Sequence, residues 1–414
     1  MTRSLTALLA LAAARCALAA PPPQAGWTDW RGSGRLGFSP DVPTTLTSQL
    51  RVVWRRRCLS QGVGGVSATA TRVIFSDKTA DHLRDVWVCL DAATGKPIWR
   101  LEHPAPGKMD YTNSPRAAPV LAEGVAYLLG AYGDIHAVRL DTGKRLWRVS
   151  LRALSGAATP TWGFCGAPLV ADGLVVAQAG GPAASLVALK AETGALVWKI
   201  SGDSPGYGNL ILATLGGHRQ VVGHDKTSLG GWDLRTGKRL WRLVPPETGD
   251  FNVPTPLPVG ARLLVATENN GTRLYRFAVD GTIVPTPEAV CADARPGTAS
   301  PVACAGYIWV STDMGLFCLD AERDLHVVWR GEEPPLQEHA SLIAGKTTVL
   351  ATFLGGRMAL LPGRPEQGYK PQLLQGLAPT DPNGDVAVWS HPALVGNRLY
   401  MRSNLEIVCF SLGR

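Results

Sequence analysis

Six short stretches of the chain set an aromatic ring close to an amide, an imidazole or a small polar group: Asp110-Tyr111-Thr112-Asn113, Thr161-Trp162-Gly163-Phe164, Gly206-Tyr207-Gly208-Asn209, Asp250-Phe251-Asn252, Gln337-Glu338-His339 and Trp389-Ser390-His391. Rings to stack on and a few polar groups to orient a guest are what a small-molecule pocket requires. The candidate binding residues are therefore Tyr111, Asn113, Trp162, Tyr207, Asn209, Asn252, Glu338, His339, Trp389 and His391. Glu338 with Asn209 or Asn252 is the one seed of an oxygen-donor site suited to calcium. A plainer reading gives the same residues a packing role, as aromatic plugs and polar caps over water. No residue is singled out as catalytic.

Other chemistries lack their signatures. There is no His-Glu-x-x-His, no Gly-x-Ser-x-Gly, no phosphate loop and no Cys-x-x-Cys, and the 8 histidines are scattered singly. Gly32-Ser33-Gly34-Arg35-Leu36-Gly37 matches the dinucleotide fingerprint in letters only. Ser39-Pro40-Asp41-Val42-Pro43 follows it, and that run does not propagate the helix whose N-terminus would hold a pyrophosphate. Asn270-Gly271-Thr272 reads as a hairpin turn rather than a glycosylation acceptor. Cys89, Cys318 and Cys409 fall at equivalent places and read as buried thiols. Cys291 and Cys304 are near enough in sequence to bridge in an oxidising compartment.

The elements that must position these groups are set by a repeat. Leu-Asp-Ala-Ala-Thr-Gly-Lys-Pro-Ile-Trp and three variants share Thr-Gly, three residues, then Trp, ending at Trp99, Trp147, Trp198 and Trp241. The steps between these tryptophans are 48, 51 and 43 residues, the length of a four-stranded propeller blade. Each unit opens with a small-residue strand, as in 117–130, 166–178, 254–267, 300–312 and 391–403, with Gly or Asn where a tight hairpin turns. Weaker copies lie at 277–287, 318–330 and 358–372, with units centred near Val284, Trp329 and Leu373. Counting from Trp54 gives eight units. The strand 50–55 supplies an outermost strand with its Trp, and 391–412 supplies three more, so the two ends of the chain complete one blade and leave no open sheet edge. The prediction is an all-β, eight-bladed propeller of four-stranded antiparallel blades, with Trp54, Trp99, Trp147, Trp198, Trp241 and Trp329 packed flat between neighbouring sheets. The loops that pass from one blade's outer strand to the next blade's inner strand converge on the axis, and all six aromatic stretches fall on them.

The N-terminus reads differently. Residues 1–19 have the pattern of a secretory signal, with Arg3, the apolar run Leu5–Ala14 and a small-x-small site at Ala17-Leu18-Ala19. Cys16 sits in a context poorly matched to lipid attachment. Residues 20–45 read as an extended lead-in and 46–414 as the propeller. Without residues 1–19 the chain keeps 39 basic and 33 acidic residues, and no basic run reaches five, which argues against nucleic acid as a partner.

The repeat phrases resemble those of pyrroloquinoline-quinone-like propellers, over nearly all of 46–414, and Trp27 to Asp41 is similar to the segment that precedes such propellers in exported bacterial proteins. The resemblance implies eight blades and, in one branch, dehydrogenases that hold pyrroloquinoline quinone and calcium. Those enzymes carry an adjacent Cys-Cys pair, which this chain lacks, and it has no Cys-x-x-Cys-His haem site. A second branch resembles the propeller lipoprotein of outer-membrane assembly, a scaffold without a cofactor. The expectation is an exported, periplasmic or secreted monomer that binds a protein or small ligand without catalysis, with no cofactor. The alternative is a quinone-dependent alcohol or sugar dehydrogenase with Trp162 on the quinone and Glu338 on calcium.

Overall fold

The computed structural model describes residues 26–46, 50–377 and 386–413; residues 1–19, read above as a signal pattern, and Cys16 lie outside the described residues. Its strands form eight sheets, each antiparallel and each contributing one blade. Seven blades take their four strands in chain order, running over 67–104, 120–150, 169–200, 211–243, 257–291, 302–331 and 340–375. The eighth combines Ala393–Val395, Arg398–Arg402 and Glu406–Ser411 with Arg51–Arg57, whose Arg55 pairs with Val408. The ring is thus closed by both ends of the chain, as the repeat predicts.

The repeat phrase has a direct physical explanation. Each Thr-Gly turn puts its glycine in the left-handed region, and the tryptophan of the preceding blade lies on it. A Cβ on Gly95 would stand 2.6 Å from the Trp54 ring, on Gly143 2.7 Å from Trp99, on Gly194 2.8 Å from Trp147 and on Gly237 2.6 Å from Trp198. The same indoles donate across the blade boundary, Trp54 Nε1 to the Ala92 carbonyl (3.0 Å), Trp99 to Leu140 (2.9 Å), Trp147 to Ala191 (2.9 Å) and Trp198 to Leu234 (3.1 Å). Glycine is needed because any side chain would both strain the backbone and displace the ring. Where the next blade lacks Thr-Gly the contact is rebuilt. Trp241 Nε1 donates to Gln220 Oε1, and Gln220 Nε2 donates on to the Gly281 carbonyl of the following blade.

Two sequence expectations need correction. The outer strand of the fifth blade is Ala289–Cys291, beyond Val284; the 277–287 phrase instead folds back on itself, with Phe277 bridged to Ile283. Cys291 and Cys304 are both free and buried, and Cys304 Sγ contacts the Gly345 and Thr348 carbonyls of the next blade (3.4 and 3.5 Å). They sit in adjacent sheets and pack as small apolar groups.

The N-terminal segment is not merely extended. Gly26–Trp27 pairs with Ser67–Thr69 as a fifth strand on the first blade, and the chain then crosses the inner ends of the other sheets. Thr28 accepts from Leu121 N–H, Trp30 Nε1 donates to Thr255, Arg31 donates to the Ser300 and Pro301 carbonyls, and Arg35 donates to the Ala167, Pro168 and Leu210 carbonyls. Phe38 bridges Ala344, and Asp41 accepts from Gly396. These partners belong to all eight blades, and only the ring axis lies within reach of them all. The glycines of the false nucleotide fingerprint serve this path: Gly32, Gly34 and Gly37 all have positive φ, and a Cβ on Gly37 would strike the Arg31 guanidinium at 2.6 Å.

Candidate functional site

The loops joining outer to inner strands of successive blades gather at one end of the axis, as their position in the repeat requires. They enclose a cavity of about 350 Å³, and Trp30 from the axial segment reaches it from within the ring. Seven of the ten predicted residues line it: Tyr111, Trp162, Tyr207, Asn209, His339, Trp389 and His391. Each comes from an inter-blade loop, so eightfold repetition brings together residues up to 280 positions apart in sequence.

The other three serve the loops that frame the cavity. Asn113 Oδ1 accepts from Met109 N–H (2.8 Å) and closes the 109–113 turn. Asn252 is buried with left-handed φ, and its amide donates to the Asp225 (3.0 Å) and Lys226 carbonyls. Glu338 accepts from Gly355 N–H (2.8 Å).

One wall is aromatic. Trp162 lies 4.7 Å from Tyr207 and 4.8 Å from Phe251, centroid to centroid, with Tyr111 at 6.4 Å. Tyr111 is 75 % exposed and holds φ of 64°. Its loop is fixed by Arg116, whose guanidinium donates to the Asp110 and Thr112 carbonyls on either side. Elsewhere around the cavity His339 packs at 5.1 Å on Trp389. At its base His391 is held between Trp27, stacked at 5.7 Å, and Trp30, edge-on at 5.4 Å.

The polar side chains lining the cavity are uncharged apart from Arg116. Burial, with the Arg31 charge opposing protonation, pushes His391 down to about 3, and burial lowers His339 to about 4. His339 Nδ1 faces the Thr298 hydroxyl at 2.9 Å, while its Nε2 has no partner. Cys165 lines the cavity, but burial raises its thiol to about 12, so it stays protonated. Asn209 Oδ1 accepts from Ala167 N–H (2.7 Å), which leaves its NH₂ free to donate. No Asp or Glu is among the described lining residues. The arrangement holds a guest by ring contact and neutral hydrogen bonds.

Sequence reasoning missed Trp30, Gln61, Arg116, Thr298, Ser300 and Asn404, which also line the cavity. Gln61 was open to inference, since residues 58–66 follow the closing strand and occupy the same inter-blade position as the six aromatic stretches. Asn404 lies on a turn within the eighth blade, and Trp30 on a segment with no repeat to place it.

The fit to calcium and quinone can be judged from the donors present. The Glu338 carboxylate and the Asn252 amide do not line the cavity that Trp162 and Asn209 share. Among the described residues no three of His, Cys, Asp and Glu converge as metal ligands. Glu338 and Asn252 therefore do not join Asn209 and Trp162 in one calcium set.

A family model described as "Outer membrane protein assembly factor BamB" matches residues 46–162, 84–253 and 184–413. The quinoprotein alcohol dehydrogenase PedH of Pseudomonas putida is 29% identical over 158 residues, 35% of this chain and 25% of that protein. Lupanine 17-hydroxylase [cytochrome c] of a Pseudomonas species is 32% identical over 175 residues, 39% of this chain and 24% of that protein. The matched stretch is about a quarter of the length of each of these curated relatives. Among solved structures, BamB from Moraxella catarrhalis superposes with a TM-score of 0.61 at 15% identity, covering 88% of this chain and 98% of that one. A europium-containing methanol dehydrogenase superposes with a TM-score of 0.68 at 12% identity, covering 94% and 98%. At such identities the structural likenesses establish the fold, while the family match spans the whole ring. The chain belongs to the pyrroloquinoline-quinone-like propeller family whose model is described as outer membrane protein assembly factor BamB.

Proposed function

We propose that this protein is an exported binding module, without catalysis of its own, whose axial cavity receives a small ligand or a projecting group of a protein partner. The observation that carries this reading is the cavity lining: seven predicted loop residues converge there, and none of the described lining residues is a carboxylate. Burial keeps His339 and His391 neutral and the Cys165 thiol protonated at neutral pH, so the lining offers uncharged hydrogen-bonding groups. Export rests on the signal pattern of residues 1–19; in addition, among the described residues, no helix is long and apolar enough to cross a membrane.

Calorimetric titration of the mature protein with pyrroloquinoline quinone, with and without calcium, tests the reading alongside oxidation assays on primary alcohols and aldoses. The expected outcome is no calcium-dependent saturation and no turnover. Saturable calcium-dependent binding coupled to substrate oxidation overturns it in favour of the dehydrogenase.

A further inference from the structure

We infer that the axial cavity is a binding site for a neutral saccharide, an assignment that rests on the binding-module reading above and names its ligand class. The argument begins with ring geometry. Trp162 makes angles of 49° with Tyr207, 51° with Phe251 and 61° with Tyr111, and Trp389 makes 42° with His339. No pair of these is parallel. A flat aromatic guest is gripped best between two parallel faces, which these pairs do not supply, whereas tilted single faces also suit a puckered ring whose C–H groups point in several directions. Those C–H bonds are polarised by neighbouring oxygens and meet the negative face of an indole or phenol favourably.

Charge argues the same way. The described lining has no Asp or Glu to attract a cationic guest. Its one cationic side chain, Arg116, braces the Tyr111 loop by donating through Nη2 to two backbone carbonyls, while its buried Nε has no partner. What remains is a set of groups that both donate and accept, or are split between the two: the Gln61 and Asn404 amides, the Asn209 NH₂ and the Ser300 hydroxyl. Ser300 Oγ accepts from Thr255 N–H (2.9 Å), which leaves its hydrogen to give. Sugar hydroxyls are themselves donor and acceptor at once, so this set answers them without charge.

Size and access agree. A cavity of about 350 Å³ is at the lower end of the range of small-molecule sites, on the order of 300 to 1,000 Å³, and takes one or two pyranose rings. Tyr111, 75 % exposed, and Phe251, 56 % exposed, stand free at the surface beside Trp162, where further units of a chain would pass.

The test is titration of the mature protein, by calorimetry and by tryptophan fluorescence, with the neutral trisaccharides maltotriose, cellotriose, xylotriose and chitotriose. Trigalacturonate and a tryptophan-containing neutral peptide serve as comparison probes. At least one neutral trisaccharide is expected to bind and to perturb tryptophan emission, with Trp162→Ala and Gln61→Ala each weakening it by about tenfold or more, equivalent to ~1.4 kcal/mol. Unchanged thermal midpoints in Gln61→Ala show that its loss of binding is local. Failure of all four neutral trisaccharides at millimolar concentration overturns the saccharide assignment. If the peptide or trigalacturonate then binds and Trp162→Ala abolishes it, the binding-module reading stands while this inference falls. Saccharide binding unaffected by both substitutions places the ligand elsewhere and overturns the site.

Discussion

His136 shows how a buried histidine contributes to the acid sensitivity of this protein. It occupies the place that Val187 fills in the next blade, counted back from the Thr-Gly turn, and is fully buried against Trp87 and His103, at 5.3 and 4.7 Å. Both its ring nitrogens lack partners, and burial lowers it to about 3. His224 and His391 are likewise lowered to about 3 by burial. A histidine kept neutral in the folded state takes up its proton on unfolding, so its contribution is complete above the unfolded value near pH 6.5 and is lost as pH falls from there toward 3. Urea midpoints should therefore drop between pH 7 and pH 5. In His136→Val the dependence should be shallower by about 1.4 kcal/mol per pH unit below pH 6; parallel pH profiles for the two proteins would show that His136 is not among the groups responsible. The cavity residues follow a different logic. Tyr111 keeps a left-handed backbone and an exposed ring, an unfavourable combination for packing and a serviceable one for contact with a ligand.

At the scale of elements, the blade boundary is a Trp ring seated on a glycine turn, and substitutions can separate its two parts. Gly143→Ala places a methyl 2.7 Å from the Trp99 ring at φ of 70°, whereas Gly124, at φ of 76°, has open space around it. Gly124→Ala should cost about 1 kcal/mol from backbone strain alone, and Gly143→Ala should cost at least about 2 kcal/mol. Equal costs in denaturant titration would mean the ring contact is not what requires glycine. The axial segment is the second such element. Arg35 is 1 % exposed, pairs with Asp29 at 2.9 Å and donates to three carbonyls from two blades. Burial still raises Asp29 above its ordinary value despite the Arg35 charge. Arg35→Met should destabilise by about 3 kcal/mol, because the carboxylate and carbonyls lose their donor inside the ring. It should also speed proteolysis within 26–46, and a wild-type digestion pattern would show that other contacts hold the segment.

The whole molecule depends on closure. Arg51–Arg57 takes its sheet hydrogen bonds from Glu406–Ser411, so the last blade is assembled from residues some 350 positions apart. A chain ended after Ser403 should leave Arg51–Arg57 without its ladder and expose a sheet edge on the ring, which invites association between copies. Gel filtration should then show aggregates in place of the full-length protein's peak, and an unchanged peak would mean that the axial segment alone keeps the ring shut. Closure also explains the cavity: eight sheets tilted around an axis bring eight loops to one end, each contributing one to three lining residues.

The period of the Thr-Gly-x-x-x-Trp phrase was sufficient to determine the fold, because it records one contact repeated at four of the eight blade boundaries and therefore a local rule. The same period assigned Trp162, Tyr207 and Trp389 to one end of the ring, since each lies at a fixed place between an outer and an inner strand. Tertiary structure alone decided which of those residues face the cavity. Asn113, Asn252 and Glu338 have the right position in the repeat, yet each spends its polar atoms on nearby backbone groups. It also decided the course of residues 26–46, whose partners are spread over all eight blades and which belong to no repeat. Hydrogen bonds to backbone carbonyls leave no trace in sequence pattern, because every residue offers the same carbonyl.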